Sequence, residues 1–277
     1  MKHCDDAPLL LFCKGRLVLN EEKAISMVGT RNATKYGRDF CEKLLADLTA
    51  KGYKLTVISG LAFGVDIFSH RAAMANNLST VAVLGHGLAT MYPAAHRKAA
   101  ADIMEQGCLV TEFTHDIGAE RHNFVRRNRI IAGLADATIV VESGEKGGAL
   151  ITADLASSYN RDVFAVPGNV NSKYSVGCNA LIKDNKAALI TNAEDVEALM
   201  GWQSQKKSKT IQRQLFAELS PEEEHIKNAF NGELELSVNA ICINSGFPMS
   251  KVSVLLFNME MNGMVKCLPG SIYKLMI

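Results

Sequence analysis

Apolar residues in the first two-thirds of the chain recur in short continuous runs, not in alternation with polar ones. The runs are Ala24–Val28, Leu55–Ser59, Thr80–Leu84, Cys108–Thr111, Ala137–Val141, Val163–Val166 and Ala187–Ile190. Strands of this kind belong to parallel sheets covered on both faces. Helical patterning fills the intervals at Tyr36–Lys51, Asp66–Asn76, His96–Glu105, Arg127–Leu134, Thr152–Tyr159 and Ala193–Leu199. Strands and helices in this rhythm predict an α/β fold with a doubly wound parallel sheet over 24–200. Before it, Leu9–Phe12 reads as a short strand or buried tail within an N-terminal extension, 1–23.

The rhythm breaks at 201–219, a polar stretch with Lys206, Lys207, Lys209 and Arg213 that reads as a basic linker. A second pattern occupies 220–277. Ser220 with Glu223 three residues on is a capping-box signal. Helical segments follow at Glu224–Asn231, Val238–Ser245 and Ser250–Met261, with Ser250 as the expected cap of the third. Apolar runs at Met264–Cys267 and Ile272–Leu275, separated by a turn at Pro269–Gly270, complete a winged-helix order. The third helix of such a domain often enters a DNA groove. Here it carries one base, Lys251, and one acid, Glu260, and residues 221–277 hold four Lys and no Arg against six Glu. A protein contact is therefore expected of this domain ahead of duplex DNA.

A formal net charge of +1 over 277 residues favours no polyanion globally, so only local clusters can speak. The seven cysteines form no CxxC and no zinc-like spacing, and are expected to be free thiols. No apolar run reaches membrane-spanning length. Asp5, Asp6 and Pro8 beside the first apolar run do not resemble a targeting signal. A cytoplasmic protein without membrane contact is expected.

Ligands of an open parallel sheet sit beyond the carboxyl ends of its strands, and four loops there carry unusual chemistry. Val28–Gly37 offers Gly29, Thr30, Lys35 and Arg31, whose guanidinium suits bidentate phosphate binding. It lacks the GxxxxGK[ST] order of a P-loop. Ser59–Asp66 brackets a turn between Gly60 and Gly64 after Ser59, and either an anion or Asp66 itself can take the helix start that follows. His70, one helical turn further on, reads as a packed or capping side chain in place of a general base. Gly85–Arg97 contains Tyr92, whose ring can stack on a base, and Arg97 with the following Lys98 begins the next helix and can meet phosphate.

The fourth stretch, Asn123–Thr152, follows Arg121 and holds Arg126, Arg127 and Arg129. Arg126 and Arg129 share a helix face and repel unless a polyanion or internal carboxylates compensate. Glu112, Glu120 and Glu142 are the internal candidates, and Glu142 can orient one of the arginines. Gly144, Gly147 and Gly148 form a possible phosphate cradle, with Thr152 as cap of the next helix. No nucleophile elbow, HExxH, P-loop lysine or metal-spaced acid pair appears, so no catalytic residue, cofactor or metal is expected. The residues alone point to polyphosphate binding, of a nucleotide or of a single strand, and an extended basic rim with an aromatic suits a strand.

These loops together closely resemble the DNA-processing protein A (DprA/Smf) family. The matching blocks are VGTRNATKYG, SGLAFGVD, AVLGHGLATMYP, RNRIIAGLAD, VVESGEKGGALIT, RDVFAVPG and GCNALI, in order from Ala24 to Leu199. The resemblance implies a Rossmann-like domain that binds single-stranded DNA as a homodimer and helps load a RecA-type recombinase during natural transformation. It implies Arg31 as the leading DNA ligand and Arg97 as the basic residue after the Tyr-Pro turn. Arg127, Asn128 and Arg129 take the place of the arginine block. Ser59, Gly60 and Gly64 would form the phosphate-binding end.

Three departures are visible. Gly147–Gly148–Ala149 replaces the usual Ser-Gly-Ser, which removes two hydroxyls. About 23 residues precede the first strand, so the family's frequent N-terminal helical module is expected to be absent or cut off. The winged-helix domain is acidic. An enzymatic alternative is a nucleotide hydrolase, because the family is distantly similar to phosphoribohydrolases. Their PGGxGT loop with a catalytic Glu would fall at Glu142–Gly148, where that order is missing.

Overall fold

Ile25 and Met27 of strand β2 (Ala24–Val28) pack into one layer of helices, and Val28 packs into another on the opposite face. The same split recurs in β6 (Ala137–Val140), where Ala137 and Ile139 face one way and Val140 the other. That two-sided burial explains why the strands read as continuous apolar runs. The computed structural model describes residues 1, 4–16, 23–202, 220–268 and 270–276. It forms two compact units, Met1–Lys207 and Ser208–Ile277. The expected linker lies outside the described residues from 203 to 219.

The first unit is an eight-stranded sheet. Its remaining strands are β1 (Phe12–Gly15), β3 (Thr56–Ser59), β4 (Ser79–Val83), β5 (Cys108–Thr111), β7 (Asp162–Ala165) and β8 (Ala188–Leu189), in the order β1-β5-β4-β3-β2-β6-β7-β8. All neighbours from β5 to β8 are parallel, and β1 is an antiparallel edge strand on β5. The strand order reverses between β2 and β6. Ser26 and Thr138, opposite each other there, exchange a buried hydroxyl hydrogen bond of 2.7 Å.

Helices α1 (Lys35–Ala50), α2 (Val65–Ala75), α3 (Arg97–Gln106) and α7 (Ala193–Met200) cover one face. Helices α4 (Arg121–Leu134), α5 (Gly148–Ser158) and α6 (Val176–Lys183) cover the other. Leu44, Leu45 and Leu48 of α1 are fully buried, and each contributes roughly 2 kcal/mol by leaving water.

Several expectations are corrected. The strand near the N-terminus is Phe12–Gly15, and Leu9 and Leu10 are exposed, not a buried tail. Helix α4 begins at Arg121, because its inward face includes the polar Asn123, Arg127 and Asn128 and so hides the apolar period. Helix α5 begins at Gly148, ahead of the expected Thr152. Helix α6 went unpredicted, because it buries little apolar surface beyond Cys178 and Leu181.

The second unit has α8 (Pro221–Asn228), β9 (Glu235–Ser237), α9 (Val238–Ser245), α10 (Met249–Met261), β10 (Val265–Leu268) and β11 (Ile272–Leu275). The capping box is present: Ser220 Oγ accepts from Glu223 N and the Glu223 carboxylate accepts from Ser220 N. β9 adds a third strand, in the order β10-β11-β9. Helix α10 is entered from Pro248, so Ser250 lies inside the helix and is not its cap. Pro269 lies outside the described residues.

Candidate functional site

An open cleft of about 1240 Å³ lies where the strand order reverses. The loop after β2 (Gly29–Asn32), the first half of α4 and the turn from Ser143 to Gly148 line it. Parallel strands on each side of a reversal send their following loops to opposite faces, which opens a crevice at their carboxyl ends. Four cationic side chains line the cleft from exposed positions: Arg31, Arg121, Lys146 and Lys173. Among the described residues, none of the four pairs with an acid. The Arg31 guanidinium sits 5.7 Å from the centre of the Phe124 ring.

Phe124 adds an aromatic ring to the apolar lining of this site. Gly85 leaves room for it, since a Cβ there would come within 2.6 Å of Phe124 Cδ1. The Tyr92 ring lies beside it at 5.5 Å and is half-exposed. Tyr92 is held from behind by His86, whose Nε2 accepts from Tyr92 N at 3.2 Å. In the sequence Arg121 is only one charge of a cluster, and Phe124, Lys146 and Lys173 are lining positions that the expected site does not include. An aromatic three residues before the Arg127–Asn128–Arg129 block was the available signal for Phe124.

The turn into α5 presents backbone. Gly147 precedes the helix with no side-chain cap, so the first amides and the positive end of the helix dipole are free for an anion. Gly147 is extended at φ −167°, and a Cβ on Gly148 would meet only Asn128 Nδ2, at 3.7 Å. The positions that lack hydroxyls are 147 and 149: a Cβ on Gly147 would stand 3.3 Å from Ser143 Oγ, and Ala149 is buried. Asn128 Nδ2 donates to the Gly148 carbonyl at 3.3 Å and ties α4 to this turn. Thr152 caps nothing: its hydroxyl donates to the Gly148 carbonyl within α5.

Under the cleft lies a buried polar layer. Arg127 is 4% exposed, and its Nη1 donates to the Gly60 carbonyl at 2.7 Å and to the Val83 carbonyl. Burial lowers its pKa to about 10, the Asp66 carboxylate opposes that shift, and the Arg31 charge adds to it. Burial raises the pKa of Asp66, against the pull of Arg127. Each partner thus offsets part of the other's cost of leaving water. A Cβ at Gly60 would come within 2.6 Å of both Arg127 Nη atoms and of Asp66 Oδ2, so glycine is required there by contact. Gly64, at φ +75°, lies against the Thr30 carbonyl, and a Cβ on Gly29 would collide with Val65. Ser59 is buried and donates to the Met27 carbonyl at 2.6 Å. Thr30 donates its amide to the Glu142 carbonyl at 2.7 Å. The block Ser59–Gly60–Gly64 therefore shapes the loop beneath Arg31, with its hydroxyl turned inward.

Glu142 does not orient an arginine. Its carboxylate accepts from Thr34 N at 2.8 Å and from Thr34 Oγ1 at 2.7 Å. It is 3% exposed and caps α1 from across the sheet. Arg126 and Arg129 instead converge on Glu112, and Arg129 also donates to the Asp6 carbonyl. The internal-carboxylate relief of their repulsion is thus present, through Glu112, while Glu120 contacts His122. Arg97 stands apart from the cleft, exposed at a smaller pocket of about 290 Å³ beside Lys14, Met91 and Met104. The cleft brings together Gly29, Thr30, Arg31, Arg127, Asn128, Gly147, Gly148 and Thr152, with Arg127 and Thr152 buried in its wall.

Residues 1–201 match the family described as DNA recombination-mediator protein A, and residues 211–271 match the DprA winged helix domain. The putative DNA processing protein DprA of Mycobacterium tuberculosis is 35% identical over 270 residues, 96% of this chain and 69% of that protein. Protein Smf of Escherichia coli is 32% identical over 277 residues, covering 98% and 72% of the two chains. The X-ray structure of DNA processing protein A from Streptococcus pneumoniae superposes with a TM-score of 0.67 at 38% identity, over 71% of this chain and 68% of that one. DNA processing protein A from Helicobacter pylori, described by its single-stranded DNA binding mode, superposes with a TM-score of 0.65 at 27% identity, over 72% and 89%.

Proposed function

The chain belongs to the DNA recombination-mediator protein A family, and from that premise we propose that it binds single-stranded DNA in the Arg31–Phe124 cleft. The bound strand is handed to a RecA-type recombinase during DNA processing in the cytoplasm, with a homodimer as the acting unit. Arg31 is the observation that supports the site most directly. It is exposed, has no acidic partner among the described residues, and lies over an aromatic ring. A guanidinium for phosphate beside a ring for a base is the chemistry that single strands require. Arg121, Lys146, Lys173 and the open start of α5 extend the basic surface along the cleft. The strand order and the two-sided helical cover support reading the sheet as doubly wound and Rossmann-like, which puts the ligand at the reversal point.

In this reading Arg127, Ser59, Gly60 and Gly64 hold the loop that carries the ligands, and Gly147 and Gly148 contribute backbone amides. The hydrolase reading loses its acid, because both oxygens of Glu142 are engaged by Thr34.

Fluorescence anisotropy with labelled single strands, competed by duplex and by mononucleotide, tests the proposal. Single strands should compete best, and affinity should fall with salt at a logarithmic slope of roughly −3, about 0.7 for each of the four free cations. Equal competition by a mononucleotide would point to a nucleotide site instead. Recombinase handover is read separately, by filament formation on strands precoated with a single-strand binding protein.

A further inference from the structure

The loop between β3 and α2 is fixed at nearly every residue, yet it exposes its largest side chain. Arg127 holds the Gly60 carbonyl at 2.7 Å. His96 Nδ1 lies 2.8 Å from the Leu61 carbonyl and donates to it. Asp66 accepts from the Ala62 amide at 3.3 Å, and Val65 N donates to the Thr30 carbonyl at 3.3 Å. Leu61 is left-handed at φ +58° and Gly64 at φ +75°. A left-handed leucine is unfavourable and persists only where its surroundings impose it. Two buried charges and one strained residue thus converge on a segment of two residues, Ala62 and Phe63.

Ala62 lines the cleft, and Phe63 projects beyond it, 45% exposed. A phenylalanine at a pinned apex would ordinarily turn inward. Here its ring instead meets the buried His96 ring edge-on, at 4.7 Å and 63°. His96 immediately precedes Arg97, the basic residue that lies outside the cleft. The Thr30 and Arg31 backbone packs against Gly64 on the other side. Phe63 therefore adjoins the Arg31 loop through Gly64 and the start of the Arg97 helix through His96.

We infer that Phe63 is a base-stacking residue, carrying the bound strand out of the cleft from Arg31 towards Arg97. The inference rests on the proposed strand-binding function and adds a position to it. Stacking on an aromatic face tolerates any base, so the contact is indifferent to sequence. The rigid loop means that little ordering entropy opposes stacking on this ring.

The test uses the full chain and two oligonucleotides of equal length, one of normal bases and one with a central run of abasic sites. The parent should prefer the normal strand, and Phe63→Ala should weaken binding to it about tenfold while binding the abasic strand almost as the parent does. Phe63→Leu, which keeps apolar bulk over His96, should lose nearly as much. Phe63→Ala binding the normal strand with parental affinity overturns the inference. Should Phe63→Ala misfold, Phe63→Trp decides: its emission should be quenched by the normal strand, and unchanged emission on saturation overturns the stacking role. A parent that binds no single strand at all sinks the proposed function and this inference with it, an outcome distinct from a parent that binds while Phe63 variants do not differ.

Discussion

Arg127 Nη1 donates to the Gly60 carbonyl at 2.7 Å, so the first arginine of the Arg127–Asn128–Arg129 block turns its guanidinium into the protein. With Asp66 as its charge partner, removing the guanidinium leaves a buried acid uncompensated. Arg127→Met should destabilise the first unit by roughly 3–5 kcal/mol, and the double variant with Asp66→Asn should recover part of that loss. Urea denaturation followed by Trp202 reads the effect. Trp202 is the sole tryptophan and packs on Tyr53 at 5.5 Å within this unit. A loss of DNA affinity without a loss of stability would show that Arg127 acts as a direct ligand.

Arg31 should behave in the opposite way. It is exposed and unpaired with any acid among the described residues, so Arg31→Glu should leave the urea midpoint close to that of the parent. Affinity for single strands should fall more than tenfold, and the salt slope should flatten by about 0.7 with the loss of one phosphate contact. Anisotropy titrations at three salt concentrations separate these two signatures. Parental binding by Arg31→Glu would remove the cleft from consideration.

Glu142 is expected to be structural. Glu142→Gln keeps an oxygen for Thr34 but removes the charge at the start of α1, at a cost of about 1–2 kcal/mol. Nucleoside monophosphate incubated with parent or variant should release no free base in either case. Release by the parent that Glu142→Gln abolishes would restore the hydrolase reading.

The strands were legible in the sequence because each is buried on both faces, so their apolar runs are unbroken. Cys108–Thr111 is recovered with the same bounds, and Ala24–Val28 likewise. Helix α4 was harder because buried function and buried packing share one face. Asn123, Arg127 and Asn128 point inward and look like surface residues to any pattern of polarity. The same ambiguity runs through the site. An arginine reads identically in sequence whether it meets a carbonyl, as Arg127 does, a carboxylate, as Arg129 does, or solvent, as Arg31 does. Only the fold sorts the three. Phe124 and Phe63 were missed for the converse reason: a phenylalanine is assumed to be core until its exposure is known.

His70 provides a pH signature for the buried layer. Its Nδ1 lies 2.7 Å from Thr80 Oγ1. That hydroxyl donates to the Val57 carbonyl, so it accepts from His70, which is neutral and protonated on Nδ1. Burial, with Arg127 and His96 nearby, lowers the His70 pKa from 6.5 to about 3. Below pH 6.5 the unfolded chain therefore binds a proton that the folded chain refuses. Stability from this residue is complete above pH 6.5 and is lost as pH falls towards 3, at about 1.4 kcal/mol per unit. The raised pKa of Asp66 works in the opposite sense, since the folded state takes that proton first as pH falls. A comparison of variants isolates the histidine. His70→Asn retains a donor for Thr80 and cannot titrate, so its unfolding free energy should decline less steeply than the parent's between pH 6.5 and 4. Parallel curves for the two proteins over that range would mean that His70 takes up its proton in the folded state.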